Sequence, residues 1–173
     1  VLGGKLTTWR LIARELCEVA AARTGLRLDD GTLSRRTPLP GGCFGADGDL
    51  DAATASLARS TGVPVDVARC CFFRFGSRAT EVLQGARSDP WLAERVAPGI
   101  PETRAELIHL ARSEMALTLV DALRRRTPRL LIDRVTAADL AAAAAVMGRE
   151  LGWSASRQAE EVAAAVASQE IHW

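Results

Sequence analysis

T-R-A-E-L-I-H-L-A-R-S-E-M-A-L-T-L-V-D-A-L-R-R-R-T-P, residues 103–128, is the stretch that decides the fold. Thr103 and Glu106 form a T-x-x-E pair, in which a hydroxyl and a carboxylate each satisfy a backbone N–H at a helix start. Pro128 supplies the stop, because proline has no N–H to continue the ladder and its ring clashes with the preceding turn. From Met115 to Leu123 the segment is apolar nearly all round. The pattern predicts one central helix over residues 103–126, with its second half buried. Glu114, Thr118, Asp121 and Arg125 stand at i, i+4, i+7 and i+11, so they would form one polar line along it. Buried carboxylates need partners, and Arg125 lies one turn from Asp121. A structural ion-pair network is therefore preferred to a catalytic acid/base pair.

Working outward, Ala- and Arg-rich segments with helical spacing dominate, and alternating Val/Ile runs are absent. Helices are expected from about Thr7 to Arg23, ended by Gly25, and from about Leu50 to Ser60, with Gly62 beyond. A third begins at Pro64 and ends near Gly76, and a fourth, capped by Ser77, reaches about Ala86. A Pro-containing linker with Trp91 leads to Pro101. A sixth helix opens at Thr136 with Asp139 and places Leu140, Ala143, Ala144, Met147 and Leu151 on one face. Ser154 caps a seventh, with Ala159, Val162, Ala163 and Val166 inward. A long Gly/Pro/Asp loop precedes Gly48. The fold class is all-α, a compact bundle of about seven helices.

Composition narrows the function. At 173 residues, 48% apolar and 25% charged, the chain is an ordinary globular domain's worth. A net charge of +1 argues against a dedicated nucleic-acid binder. No apolar run approaches the roughly 20 residues that span a bilayer. Cys17, Cys43, Cys70 and Cys71 show no C-x-x-C spacing and read as reduced, mostly buried thiols. His109 and His172 alone suggest no metal cluster. Phe72, Phe73 and Phe75 read as core. Arg35-Arg36 reads equally well as a contact to a missing domain or as a plain turn, whereas Arg124-Arg125-Arg126 reads by default as a solvated face at a helix end, with a lipid or acceptor contact as the lesser alternative.

The first ten residues, V-L-G-G-K-L-T-T-W-R, carry the one candidate site. Lys5 is the only lysine; the other 21 of the 22 basic residues are arginines. Gly3-Gly4 permit close backbone approach, and Thr7 and Thr8 stand at a helix start with unpaired N–H groups. Glycines, one compact cation and a helix start make a seat for something anionic. G-x-x-x-x-G-K-[ST] is absent, so this is not a Walker A loop.

G-G-K-L-T-T-W-R at 3–10 resembles the segment closing the flavin domain of FAD-dependent glycerol-3-phosphate dehydrogenases. Pro38-Leu39-Pro40-Gly41-Gly42 is similar to that family's P-L-P-G-G turn, and Phe75-Gly76 to its aromatic-glycine helix end. Arg112, Glu114, Asp121, Leu123, Arg125, Arg126 and Thr127 fit R-x-E-(x6)-D-x-L-x-R-R-T, and Leu151-Gly152-Trp153 fits its late L-G-W. Trp9 stands where the family often has tyrosine; the ring is kept and the hydroxyl lost.

The resemblance implies that residues 1–10 end an FAD-binding domain and that 11–173 form a helical C-terminal cap. Val1-Leu2-Gly3 then reads as a strand end from a preceding domain. Gly3, Gly4, Thr7 and Thr8 would meet the flavin, and Lys5 the substrate. The parent would oxidise sn-glycerol 3-phosphate to dihydroxyacetone phosphate, with hydride passing to FAD and electrons onward to a quinone. An oxidase using oxygen is the variant within the family. The implied partners are the chain's own N-terminal FAD domain, the substrate, and a quinone or membrane surface. The implied location is cytoplasmic, with peripheral attachment at the cytoplasmic membrane face as an option. No G-x-G-x-x-G occurs, so the pyrophosphate site lies elsewhere and the isolated chain is expected to be inactive. The alternative is an independent helical interaction or regulatory module.

Overall fold

The computed structural model describes residues 5–28, 33–43 and 49–170. The chain divides into two compact units, Val1–Leu39 and Pro40–Trp173. In the first, a 3-10 turn over Leu6–Thr8 leads into α1, Trp9–Thr24. Gly25 closes α1 in the left-handed conformation expected of it, with φ 73°. No residue of α1 is buried, and Trp9, Leu11, Leu16 and Val19 are exposed. A short helix α2, Leu33–Arg36, follows.

Among its described residues, the second unit is all-α apart from one hairpin. It opens with α3, Leu50–Thr61, capped by the Asp49 carboxylate, which accepts from the N–H groups of Asp51 and Ala52 at 2.9 and 3.0 Å. Helix α4, Val65–Phe75, and α5, Ala79–Leu83, pack on it. Leu57, Val67, Ala68, Cys71, Phe72, Val82 and Leu83 form a first apolar core among them. The residues read as a linker fold further. Pro90–Ala93 is a helical turn, α6, and Arg95–Ala97 (β1) pairs antiparallel with Ile100–Thr103 (β2). Pro98-Gly99 is the connection. Strands of three and four residues carry too little alternation for sequence to reveal.

The central stretch departs from its expectation. The Thr103 box forms as read, its N–H donating to Glu106 Oε2 at 2.6 Å. Helix α7, however, ends at Ser113. Met115 takes a left-handed φ of 54°, and the Leu110 carbonyl accepts from both Glu114 and Ala116. Residues 121–126 then wind as a π-helical segment, Asp121–Arg126. The break has a local cause. Thr118 Oγ1 accepts from the Asp121 N–H at 3.0 Å, and Asp121 Oδ2 accepts from the Thr118 N–H at 3.1 Å. T-x-x-D thus starts a second helix of its own. The burial expected over Met115–Leu123 holds for Ala116, Leu119, Ala122 and Leu123, while Met115 and Leu117 turn out into solvent.

After α8, Arg129–Ile132, come α9, Ala137–Leu151, and α10, Ala155–Glu170. Leu140, Ala143, Ala144 and Met147 of α9 join Ile100, Leu107, Leu110, Leu119 and Leu123 in a second core. Of the face assigned to α10, Val162 and Val166 pack half-buried on this core, but Ala159 and Ala163 are exposed, and Glu161, Ala165 and Ser168 are buried instead. Polar residues turn inward because they serve other elements' backbones. Glu161 accepts from the Leu119 N–H at 2.7 Å, Arg124 donates to the Ser168 carbonyl at 2.6 Å, and Gln169 bonds both backbone groups of Val135.

A buried ion network, with Arg74 at its centre, reaches across α4, β2, α7 and α8. Arg74 Nε donates to Glu106 at 2.6 Å and its Nη1 lies 3.7 Å from Glu102, which Arg129 reaches at 3.0 Å. Cysteines are less buried than expected: all are free, but only Cys71 is buried, while Cys17 and Cys43 are exposed. Phe73 is 67% exposed, its ring under the Arg69 guanidinium, so it is not core.

Candidate functional site

Gly3 and Gly4 lie outside the described residues. Lys5 holds the position before the 3-10 turn in extended backbone, with φ −86° and ψ 143°. Its carbonyl accepts from both the N–H and the hydroxyl of Thr8, each at 3.0 Å. Thr8 sits at the N-cap of α1 yet spends its hydroxyl backward on Lys5, so no side chain caps α1. The 3-10 turn itself satisfies the Thr8 and Trp9 N–H groups, on the Lys5 and Leu6 carbonyls, so the helix-start N–H groups that suit an anion are those of Leu6 and Thr7. Lys5, Thr7 and Thr8 are exposed, and no carboxylate among the described residues pairs with Lys5. The Arg10 guanidinium lies over the Trp9 ring, 5.1 Å from its centre. The candidate residues that can be described are thus brought together within one turn.

The R-x-E…D-x-L-x-R-R-T residues make ion pairs, backbone bonds and core contacts. They build the break in the central stretch. Arg112 grips Glu150 of α9 through two bonds of 2.5 and 2.8 Å. Arg126 donates to the Glu114 carbonyl at 2.8 Å, satisfying a group that the helix end leaves open. Leu123 is fully buried, and the Thr127 hydroxyl donates to Ala122. Burial of Asp121 works against its charge, but hydrogen bonds from Thr118 and Arg125 outweigh it and hold its carboxyl below the usual range. The expected single polar line does not exist, since the helix breaks between Glu114 and Thr118. Arg125 pairs with Asp121 but its side chain is 64% exposed, so it is not a buried guanidinium. The T-x-x-D signal at 118–121 was present in the sequence but obscured by the apolar run around it.

Among the described residues no three His, Cys, Asp or Glu side chains come together to hold a metal ion. No described helix is long and apolar enough to cross a membrane.

These features define an all-α domain whose specific motifs organise one kinked helix, preceded in the chain by Lys5 and its 3-10 turn. Residues 32–158 match the family described as the C-terminal domain of alpha-glycerophosphate oxidase, and the chain belongs to that family. It is 33% identical over 129 residues to a glycerol-3-phosphate dehydrogenase of Synechocystis, covering 73% of this chain and 22% of that protein. It is 29% identical over 164 residues to a probable mitochondrial glycerol-3-phosphate dehydrogenase of Caenorhabditis elegans, covering 91% and 22%. A probable mitochondrial counterpart in Dictyostelium discoideum is 26% identical over 163 residues, covering 94% and 25%. The chain spans about a quarter of the length of these curated relatives.

Proposed function

We propose that this chain is the C-terminal part of a flavoprotein that oxidises sn-glycerol 3-phosphate to dihydroxyacetone phosphate, and that residues 1–10 close its FAD-binding domain. The observation that carries the reading is Lys5: one ammonium with no carboxylate partner among the described residues, directly before a helix start without a side-chain cap, in a chain whose relatives are named glycerol-3-phosphate dehydrogenases. The residues present fit one edge of a flavin and no more, because the chain has no G-x-G-x-x-G segment. When bound, FAD would accept the hydride from the substrate carbon. Gly3 and Gly4 allow backbone to approach the ring without a Cβ in the way. Thr7 and Thr8 stand in the helix start whose N–H groups, at Leu6 and Thr7, face negative charge. Lys5 pairs with the substrate phosphate or polarises the substrate oxygen. The helical units carry no part of the chemistry; the electron acceptor, a quinone or oxygen, is reached through the flavin domain, at the cytoplasmic membrane face in the quinone case.

The test is made in the enzyme that contains this chain. Lys5→Ala is expected to lower turnover of glycerol 3-phosphate about 30- to 1000-fold, the effect of one lost charged hydrogen bond worth about 2–4 kcal/mol, with flavin content nearly unchanged. Unaltered kinetics would remove Lys5 from the site. The isolated chain is expected to be colourless and without turnover.

A further inference from the structure

Helices α5, α6, α7 and α9 border a half-open cavity of about 460 Å³, with Arg149 exposed at it, that the proposed reaction does not use. Its apolar lining comes from Val82, Leu92, Ile108 and Val146. Its charged groups are almost all committed. Glu150 is held by both arms of Arg112, and Glu81 receives Arg78 at 3.2 Å. Asp89 caps α6 by accepting from the Trp91 N–H at 3.1 Å. Burial, aided by the Arg78 charge, lowers the pKa of His109, so its ring is neutral at pH 7.

Arg149 is the exception. No carboxylate among the described residues lies within ion-pairing distance of it. Instead its guanidinium stacks 4.6 Å from the centre of the Trp91 ring, which also takes Arg104 at 4.8 Å. Stacking orients the guanidinium plane without consuming its N–H donors. A pre-oriented fork of donors at an apolar-lined cavity matches a planar carboxylate. Asp89 lines the same cavity and disfavours a second negative charge on the ligand.

We propose that this cavity binds a small organic monocarboxylate, its oxygens on Arg149 and its apolar body against Val82, Leu92, Ile108 and Val146. The proposal is independent of Lys5 and of the oxidation reaction.

Benzoate is the probe, titrated into the 173-residue chain and followed by the Trp indole and Arg Nε–H resonances. Saturable binding with a Kd of about 1–10 mM is expected, with neutral benzamide about tenfold weaker or more. Arg149→Gln is expected to weaken benzoate about tenfold or more, while Arg59→Gln, an exposed charge loss on α3, leaves it unchanged. Phenyl phosphate and inorganic phosphate are expected to bind more weakly than benzoate. Absence of saturation, or equal benzoate affinity in Arg149→Gln, would overturn the proposal. Tighter binding of phenyl phosphate than of benzoate would overturn the assignment to a carboxylate.

Discussion

A Cβ placed on Gly76 would stand 2.0 Å from the carbonyl oxygen of Gly41, and one on Gly41 would stand 2.5 Å from that of Phe75. The P-L-P-G-G turn and the aromatic-glycine helix end are therefore one contact, two backbones pressed together and joined by the Ser77 N–H on the Gly41 carbonyl at 2.9 Å. Both glycines also take positive φ, 84° and 57°. Gly76→Ala thus meets strain and a backbone collision together, and should destabilise the chain by about 2–4 kcal/mol. Gly62 has a similar φ of 78° but open space around it, so Gly62→Ala should cost only about 1 kcal/mol. Urea unfolding of both variants decides the point; equal losses would mean that the contact contributes nothing.

Asp121→Ala should destabilise the chain by about 1 kcal/mol, the usual loss of a helix N-cap interaction. The larger penalty of stranding a buried cation does not arise, since Arg125 is mostly solvated. Asp121→Asn should recover much of the loss by keeping an acceptor for the Thr118 N–H. A loss above about 3 kcal/mol, the range of a broken buried pair, would contradict this account.

Met115 is the one non-glycine residue with positive φ among those described, and the residue is 75% exposed. Left-handed backbone costs a β-carbon residue roughly 1–2 kcal/mol, while glycine raises the entropy lost on folding by roughly 0.5–1 kcal/mol. Met115→Gly should therefore stabilise the chain by about 0.5–1 kcal/mol in denaturant unfolding. Met115→Val should do the opposite, because a β-branched residue tolerates this region least. A destabilised glycine variant would show that Met115 makes a contact outweighing its strain.

His109 sets a pH dependence. Its pKa in the folded state is lowered, so the unfolded chain binds the proton more readily. Stability is full above the unfolded value of about 6.5 and falls with pH from there down to the folded value. Lowering pH from about 7.5 to 5.5 should thus reduce stability, and His109→Gln should flatten that slope even if it is less stable at the higher pH. Thermal unfolding of both chains across that range is the measurement; identical slopes would place the titration elsewhere.

Helix identity was legible wherever a cap and a stripe agreed. Gly25, Gly62 and Gly152 all close helices in left-handed backbone, and Thr103 and Thr136 both open them. Beyond the local T-x-x-D box at 118–121, which the apolar run obscured, what sequence concealed was tertiary in origin. The kink at residues 114–118 depends on Glu161 and Arg126 to satisfy the opened backbone, and neither is adjacent in sequence. The same bond turned α10: an apolar stripe cannot announce that Glu161 and Ser168 face inward to serve distant amides. Phe73 and the exposed thiols failed for a simpler reason, since residue type alone does not fix which side of a helix is covered. Of the candidate site, the sequence marked Lys5 and the threonines as neighbours; that Thr8 would leave α1 uncapped emerged only from its bond back to Lys5.

The bond from Leu119 to Glu161 spans 42 positions of chain. Synthesis runs from the N-terminus, so the amide leaves the ribosome well before its acceptor exists. Until α10 follows, the two halves of the kinked stretch lack the group that secures their junction. The nascent chain can then consolidate the α3–α4–α5 layer while the kink is held only by its own 118–121 box and the Arg126–Glu114 bond.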